Sequence, residues 1–357
     1  MRTFGSSLGN GLKVLGLVAV LCASTAALAQ GYSQTNLVSD TPGMAALTDP
    51  NLVNAWGIVA GPSTPFWISD NGTGLSTLYK GDGTIIPLVV TVPPPAGGSG
   101  PSTPTGIAFN ATTDFVVTGS GGTGPALFLF ATEDGTISGW NSTADHTNAI
   151  LTVDNSKLGA VYKGLALGTT KDGNFLYTTN FHDGSVEMYD ANFQLVKTFT
   201  DTSVARGYAP FGIANIGGKL YVTFAKQDED KHDDAPGAGH GYVDIFDLNG
   251  NLKQRLIVHG KLDSPWGVVW AAGNFGPFSH TLLVGNFGNG RINSFDPKTG
   301  AFLGTLRTPK GKPVWIDGLW GLSFGNDGAA GPSNVLYFTA GPSDEAHGLF
   351  GMLTAGK

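Results

Sequence analysis

Short apolar runs recur along the chain in a fixed order. A run opening on glycine is followed by a second run, a glycine turn, and a third run that closes on an aromatic. The turn is clearest in "FWISDNGTGLSTLY", "LFLFATEDGTISGW", "FLYTTNFHDGSVEMY" and "TLLVGNFGNGRINSF", where Gly74, Gly135, Gly184 and Gly290 are each followed five residues later by Tyr79, Trp140, Tyr189 or Phe295. Looser copies place Gly241 with Phe246 and Gly348 with Leu353, so the six turn glycines lie 61, 49, 57, 49 and 58 residues apart. Upstream of each, "AWGIV", "TGIAF", "KGLAL", "FGIAN", "WGVVW" and "WGLSF" supply a run opening on Gly57, Gly106, Gly164, Gly212, Gly267 or Gly321.

Runs of this length bounded by Gly, Asn and Asp read as strands, and four strands at this period read as one propeller blade. The expectation is an all-β, six-bladed β-propeller, with strands A to D numbered outward from the axis. The sixth repeat ends at Lys357 after its third strand, whereas "YSQTNLVSD", residues 32 to 40, precedes the first repeat with strand composition. That segment is expected to complete the last blade and close the ring, because an unpaired sheet edge is a liability. The extra stretch "DFVVTGSGGTGP" in the second repeat reads as a prolonged inner strand or an added hairpin.

Composition changes the picture at the N-terminus. Arg2 and Lys13 precede or flank the run "VLGLVAVLCASTAALA", which ends on small residues, the layout of a signal peptide over 1–29 cleaved before Gln30. A single domain over 30–357 is expected, secreted or periplasmic, with no membrane span in the mature chain. Cys22 is the only cysteine and lies in that segment, so the mature chain has no disulfide or thiolate chemistry. Without Arg2 and Lys13, 18 basic residues face 27 acidic ones, a net charge of −9 that disfavours nucleic acid as a partner.

The chain's densest charge is "AKQDEDKHDDAPGAGHGY", residues 225 to 242. Seven residues separate Trp67, Phe128, Tyr177 and Leu283 from their turn glycines, but twenty separate Tyr221 from Gly241, so this stretch is a 13-residue insertion in a strand B to C turn. Two readings stay open. It is a mobile, exposed loop that blade stability does not need, or it contributes oxygen ligands to a hard-cation site. The metal candidates are Asp228, Asp230, His232, Asp233, Asp234, Asp344 and Glu345, for Ca²⁺ or Mg²⁺ if any cofactor is bound. Zinc between His232, His240 and His182 or His347 lacks paired-ligand spacing.

In a propeller, the B to C turns share a face with the linkers that enter each inner strand. That face is expected to bind the ligand through Asp70, Asn71, Glu133, Asp183, Lys226, His240, Asn286, Asp317 and Trp320. Trp56, Trp266 and Trp320 either stack on a ligand near the channel or pack between blades. No phosphate loop occurs, and no nucleophile elbow or dinucleotide fingerprint occurs in the strand-to-helix context it needs.

The repeat pattern "WGI…LYVT" followed by a glycine turn and "FD..G" resembles NHL-type propellers. More specifically, "NLVSDTPGMAALTDPNLVNAWGIV", "NFGNGRINSFDPKTGAFLG" and "DGLWGLSF…LYFTAGPSDEAHGLFG" resemble an uncharacterised family of exported bacterial propellers. Some of those relatives carry a C-terminal Pro-Glu-Pro sorting tail, which the ending "GMLTAGK" lacks. The resemblance implies the fold and no activity. Two functions therefore stand. One is a monomeric binding module that takes a small molecule, glycan or protein partner on the B to C face. The other is a metal-dependent lyase or lactone hydrolase, its cation among Asp70, Asp183, Asp317 and Glu345, with His182 or His347 as general base. Convergence near the axis separates them, since an enzyme needs three or more of these side chains within coordination reach.

Overall fold

The computed structural model describes residues 1–5, 31–271 and 273–356, so residues 6–29 of the expected signal segment lie outside the described residues. Six four-stranded antiparallel blades surround one axis, the closing one extended by a short parallel strand, Leu47–Thr48. Blade 1 is Ala55–Val59, Phe66–Asp70, Leu75–Tyr79 and Ile85–Thr91; blade 2 is Pro104–Phe109, Phe128–Thr132, Thr136–Trp140 and Ile150–Asp154. Blade 3 is Tyr162–Thr170, Gly173–Asn180, Ser185–Tyr189 and Leu195–Phe199; blade 4 is Tyr208–Ile216, Lys219–Lys226, Tyr242–Asp247 and Leu252–Val258. Blade 5 is Pro265–Trp270, Leu282–Asn286, Ile292–Phe295 and Phe302–Thr305.

Blade 6 takes strands A to C from Leu319–Phe324, Leu336–Ala340 and Leu349–Ala355, and its outer strand from Tyr32–Ser39 at the other end of the chain. The closing pair is antiparallel from Tyr32 opposite Ala355 to Ser39 opposite Leu349, as the truncated last repeat required. Buried Tyr32 donates its hydroxyl to the Phe275 carbonyl, and the Asp40 carboxylate accepts the Gly348 amide while lying 2.8 Å from His347 Nδ1. The extra stretch in the second repeat is an added hairpin, Val116–Thr118 against Thr123–Pro125.

Both glycine columns have steric causes. Gly74, Gly135, Gly184 and Gly290 close their turns with φ between +65° and +78°, which a Cβ disfavours. The inner-strand glycines lie where neighbouring A strands meet: a Cβ on Gly57, Gly106, Gly164, Gly212, Gly267 or Gly321 would stand 3.0 Å or less from an atom of the adjoining blades, in most cases inner-strand backbone. Apolar side chains fill the wedges between blades, as where Trp67 stacks on Phe128 with ring centroids 4.1 Å apart.

Candidate functional site

The residues just before the inner-strand glycines are Trp56, Thr105, Lys163, Phe211, Trp266 and Trp320. They enter the channel together from the B to C face. Trp56 and Trp320 are 1% exposed, with centroids 3.8 Å apart; Phe287 stacks on Trp320 at 3.9 Å, and Phe211 and Trp266 pack edge-on at 5.9 and 6.0 Å. These rings plug the channel, and Trp56 and Trp320 are core, while Trp266 stays partly exposed. Beneath the plug the channel widens into a cavity of about 440 Å³ lined by all six inner strands and opening away from the B to C turns. Among the described residues no titratable side chain lines it.

Above the plug lies a polar cluster assembled from five blades. Lys163, 1% exposed, projects from strand A of blade 3 and donates to Glu133 Oε1 from blade 2 and to Asp233 Oδ1 at 3.0 Å from the blade 4 insertion. Glu133 Oε2 accepts from Asn71 Nδ2 at 2.7 Å. The Asn54 amide nitrogen donates to Asn71 Oδ1 at 3.1 Å and to Glu345 Oε2 at 2.5 Å, while its oxygen accepts both the Trp56 and Trp320 indole N–H groups. Asn54 holds φ +47°, a left-handed conformation that asparagine tolerates. The network and the plug therefore orient each other.

Charge in the cluster is largely internal. Burial opposes the Lys163 ammonium, but Glu133 and then Asp233 overcome it and raise its pKa above the ordinary lysine value. The His232 ring, 3.1 Å from Asp233, holds that carboxyl far below the usual range, and Asp233 in turn raises His232. Burial pushes Glu345 up to about 7, opposed by its Asn54 hydrogen bond and assisted by the charge of Glu133.

The insertion is not a free excursion. Gln227 donates to the Phe181 carbonyl, the Asp228 amide to the Asp233 carbonyl, the Ala235 amide to the Lys226 carbonyl, and the Gly237 amide to Asp263. Asp234 turns inward, its carboxyl pushed to about 6 by burial. The tip, Glu229 to Asp233, is exposed, as are Pro236 and Ala238. The expectation of a loop contributing nothing to the blades is corrected by these bonds, and by the reach of Asp233 to the axis.

Of the expected ligand-face residues, Asn71 and Glu133 reach the axis, and Trp320 forms part of the plug. Asp70 does not: one residue from Asn71, it points the opposite way, is fully buried near Thr77 and Asp49, and is pushed well above the carboxylate range by that burial. Asp183 pairs with His182 on the exposed turn of blade 3, and Asp317 accepts the Ser343 amide at the rim of blade 6. Lys226 is exposed at the end of its strand; His240 bonds the Ala235 carbonyl; buried Asn286 donates to the Lys261 carbonyl.

Of the metal candidates, His232, Asp233 and Glu345 join the axial cluster, while Asp228, Asp230, Asp234 and Asp344 do not. Among the described residues, Glu133, His232 and Asp233 form a group whose ligand atoms lie within 4.8 Å of one another, but Lys163 already binds two of its carboxylates. His182 and His347 stay apart, one on blade 3 and one in the closing seam, so the four-carboxylate site with a histidine base does not assemble. Lys163 and Asn54 escaped the sequence reading. A signal for Lys163 was present, since it is the one charged residue in an otherwise largely aromatic column.

No family model matches the chain. Among solved structures, virginiamycin B lyase from Staphylococcus aureus is 14% identical with TM-score 0.50, covering 90% of this chain and 98% of its own. A glucose dehydrogenase is 14% identical with TM-score 0.54, covering 90% and 99%. At such identity these likenesses show the six-bladed fold alone. Uncharacterized protein R648 of Acanthamoeba polyphaga mimivirus is 35% identical over 330 residues, which span 89% of this chain and 78% of the viral protein. This relative is viral, where the sequence resemblance pointed to bacterial proteins. By that identity and span, the chain belongs to the family of the uncharacterized mimivirus protein R648.

Proposed function

We propose that this propeller is an exported recognition module whose B to C face takes a partner presenting basic groups, such as a lysine- or arginine-rich peptide segment. The observation that carries the reading is Lys163. Its ammonium already occupies the place between Glu133 and Asp233 where a divalent ion would sit, so the charge of the axial carboxylates is partly balanced from within. A metal-dependent lyase or hydrolase would need that position open to a cation. The remaining carboxylates of the face, exposed Glu229, Asp230, Asp183, Asp317 and Asp344, give it a negative field suited to steering a basic partner. Export rests on the N-terminal sequence.

A second reading has one observation in its favour. Glu345 sits on the axis with its carboxyl pushed to about 7, a value suited to general acid–base work near neutral pH.

Binding of a hexalysine and a hexaglutamate peptide to the immobilised mature protein tests the first reading. Hexalysine should bind in a salt-dependent manner and lose at least tenfold in affinity in E229Q/D230N/D344N. Equal binding of both peptides, or an unaltered affinity in the triple variant, would overturn it.

A further inference from the structure

We propose that the crevice between blades 2 and 3, floored by Glu187, is a binding site for an organic ammonium with an apolar body. This inference goes beyond the axial reading and does not depend on it.

The residues three positions after the turn glycines form a column on strand C: Thr77, Ser138, Glu187, Asp244, Asn293 and Gly351, all buried. Two of the six are acids, and their surroundings differ. Asp244 has a cation of its own, with Arg255 Nε 3.6 Å away and the same guanidinium bound to Asp201. Glu187, 6% exposed, has none: among the described residues no lysine, arginine or histidine nitrogen lies within 4.0 Å of its carboxylate. The nearby Lys157 acts instead on Asp154.

What surrounds Glu187 is a shell of neutral donors. Asn180 Nδ2 donates to Oε1 at 2.8 Å, and the Tyr162 and Tyr189 hydroxyls donate to Oε2 at 2.7 and 2.5 Å. Asn155 Nδ2 donates in turn to both tyrosine oxygens, at 2.7 and 3.0 Å. Burial, and then the charge of Glu187, push both tyrosines well above their ordinary value, so they donate rather than ionise. Such bonds satisfy lone pairs without cancelling charge, and a buried charge calls for a counter-ion. A carboxylate accepts about four hydrogen bonds, of which three are filled.

The open side of Glu187 faces a cavity of about 510 Å³. Among the described residues no cationic side chain lines it; Asp183 adds a second carboxylate, and Phe193, Leu158 and Leu195 form apolar walls. Leu158 and Leu195 are 75% and 51% exposed, an apolar surface at the mouth. The neighbours of Glu187 turn hydrogens toward it rather than oxygens, unlike the six to eight oxygen ligands a calcium ion takes. An ammonium on an apolar stem matches floor and walls together.

Calorimetric titration of the mature protein with hexylammonium, its neutral isostere hexan-1-ol, and Ca²⁺ tests the site. Hexylammonium should bind one to one, at least tenfold tighter than hexan-1-ol, with no heat from Ca²⁺. Glu187→Gln, which keeps the shape of the floor, should weaken hexylammonium at least tenfold. Absence of hexylammonium binding, equal affinity for the alcohol, an unaltered E187Q, or Ca²⁺ binding lost in E187Q would each overturn the proposal. The comparison of ammonium with alcohol uses the wild-type chain and holds even if E187Q fails to fold.

Discussion

Lys163 Nζ lies 3.0 Å from Asp233 Oδ1, joining the innermost strand of blade 3 to a loop inserted seventy residues later in blade 4. The lysine is buried and the aspartate is exposed, 1% against 63%. The loop therefore reaches in to meet a charge held on the innermost strand of blade 3.

Removing that charge should be costly. Lys163→Met leaves Glu133, 10% exposed, without its ammonium and facing Asp233 and Glu345 across the axis. Breaking a buried ion pair from one side typically costs about 3–5 kcal/mol. Chemical denaturation should show a loss of that order, with K163M/E133Q recovering much of it. A K163M loss below about 1 kcal/mol would mean that the pair is idle.

Excising the insertion tests the other side of the contact. Shortening the blade 4 connection, residues 227–241, to the three to five residues that join strands B and C in blades 1, 2, 3 and 5 should leave a folded propeller, since closing a shorter loop is not the obstacle. It should be less stable by about 1.5–3 kcal/mol, the scale of one hydrogen bond to a charged group. Equal melting temperatures for both chains would reinstate the loop as an independent excursion.

Ring closure predicts a larger effect. A chain starting after Asp40 loses Tyr32–Ser39 and leaves Leu349–Ala355 as an open edge, with buried Phe350 and Leu353 losing a covering strand. Its melting temperature should fall by about 10 °C or more. Melting like the longer chain would contradict closure by that strand.

The pH dependence follows from Glu345. Its carboxyl is raised from 4.5 to about 7 in the folded protein, so between those values the folded state holds a proton that the unfolded chain releases. Stability from this group is present at low pH and declines as pH rises through that window. Glu345→Gln should therefore gain on the wild type as pH rises from 4.5 to 7, read as the difference between their melting temperatures. A flat difference would remove the raised carboxyl from the account.

The blades were legible because their causes are local. A positive φ at Gly74 or Gly184 and a missing Cβ at Gly57 or Gly212 leave glycines at readable intervals, and the last repeat's shortfall pointed to Tyr32–Ser39. The site was half legible. Asn71 and Glu133 directly follow a strand B and face the axis, but strand alternation sends Asp70 the other way, and no spacing shows where a turn starts that alternation. Lys163 stood in view inside "KGLAL", read for its glycine. Its partners come from blades 2 and 4, a convergence that only ring closure creates. The absence of a cation beside Glu187 is likewise a fact of three-dimensional neighbourhood.

Metal analysis joined to thermal unfolding, on residues 30–357 of the wild type and on the same residues of K163M, with and without chelator, tests most directly whether a lysine ammonium fills the axial cation position. Wild-type protein should carry no stoichiometric metal and keep its melting temperature on chelation, whereas added Ca²⁺ or Mg²⁺ should stabilise K163M. Stoichiometric Ca²⁺ or Mg²⁺ in the wild type, released by chelator with a fall in melting temperature, would contradict it.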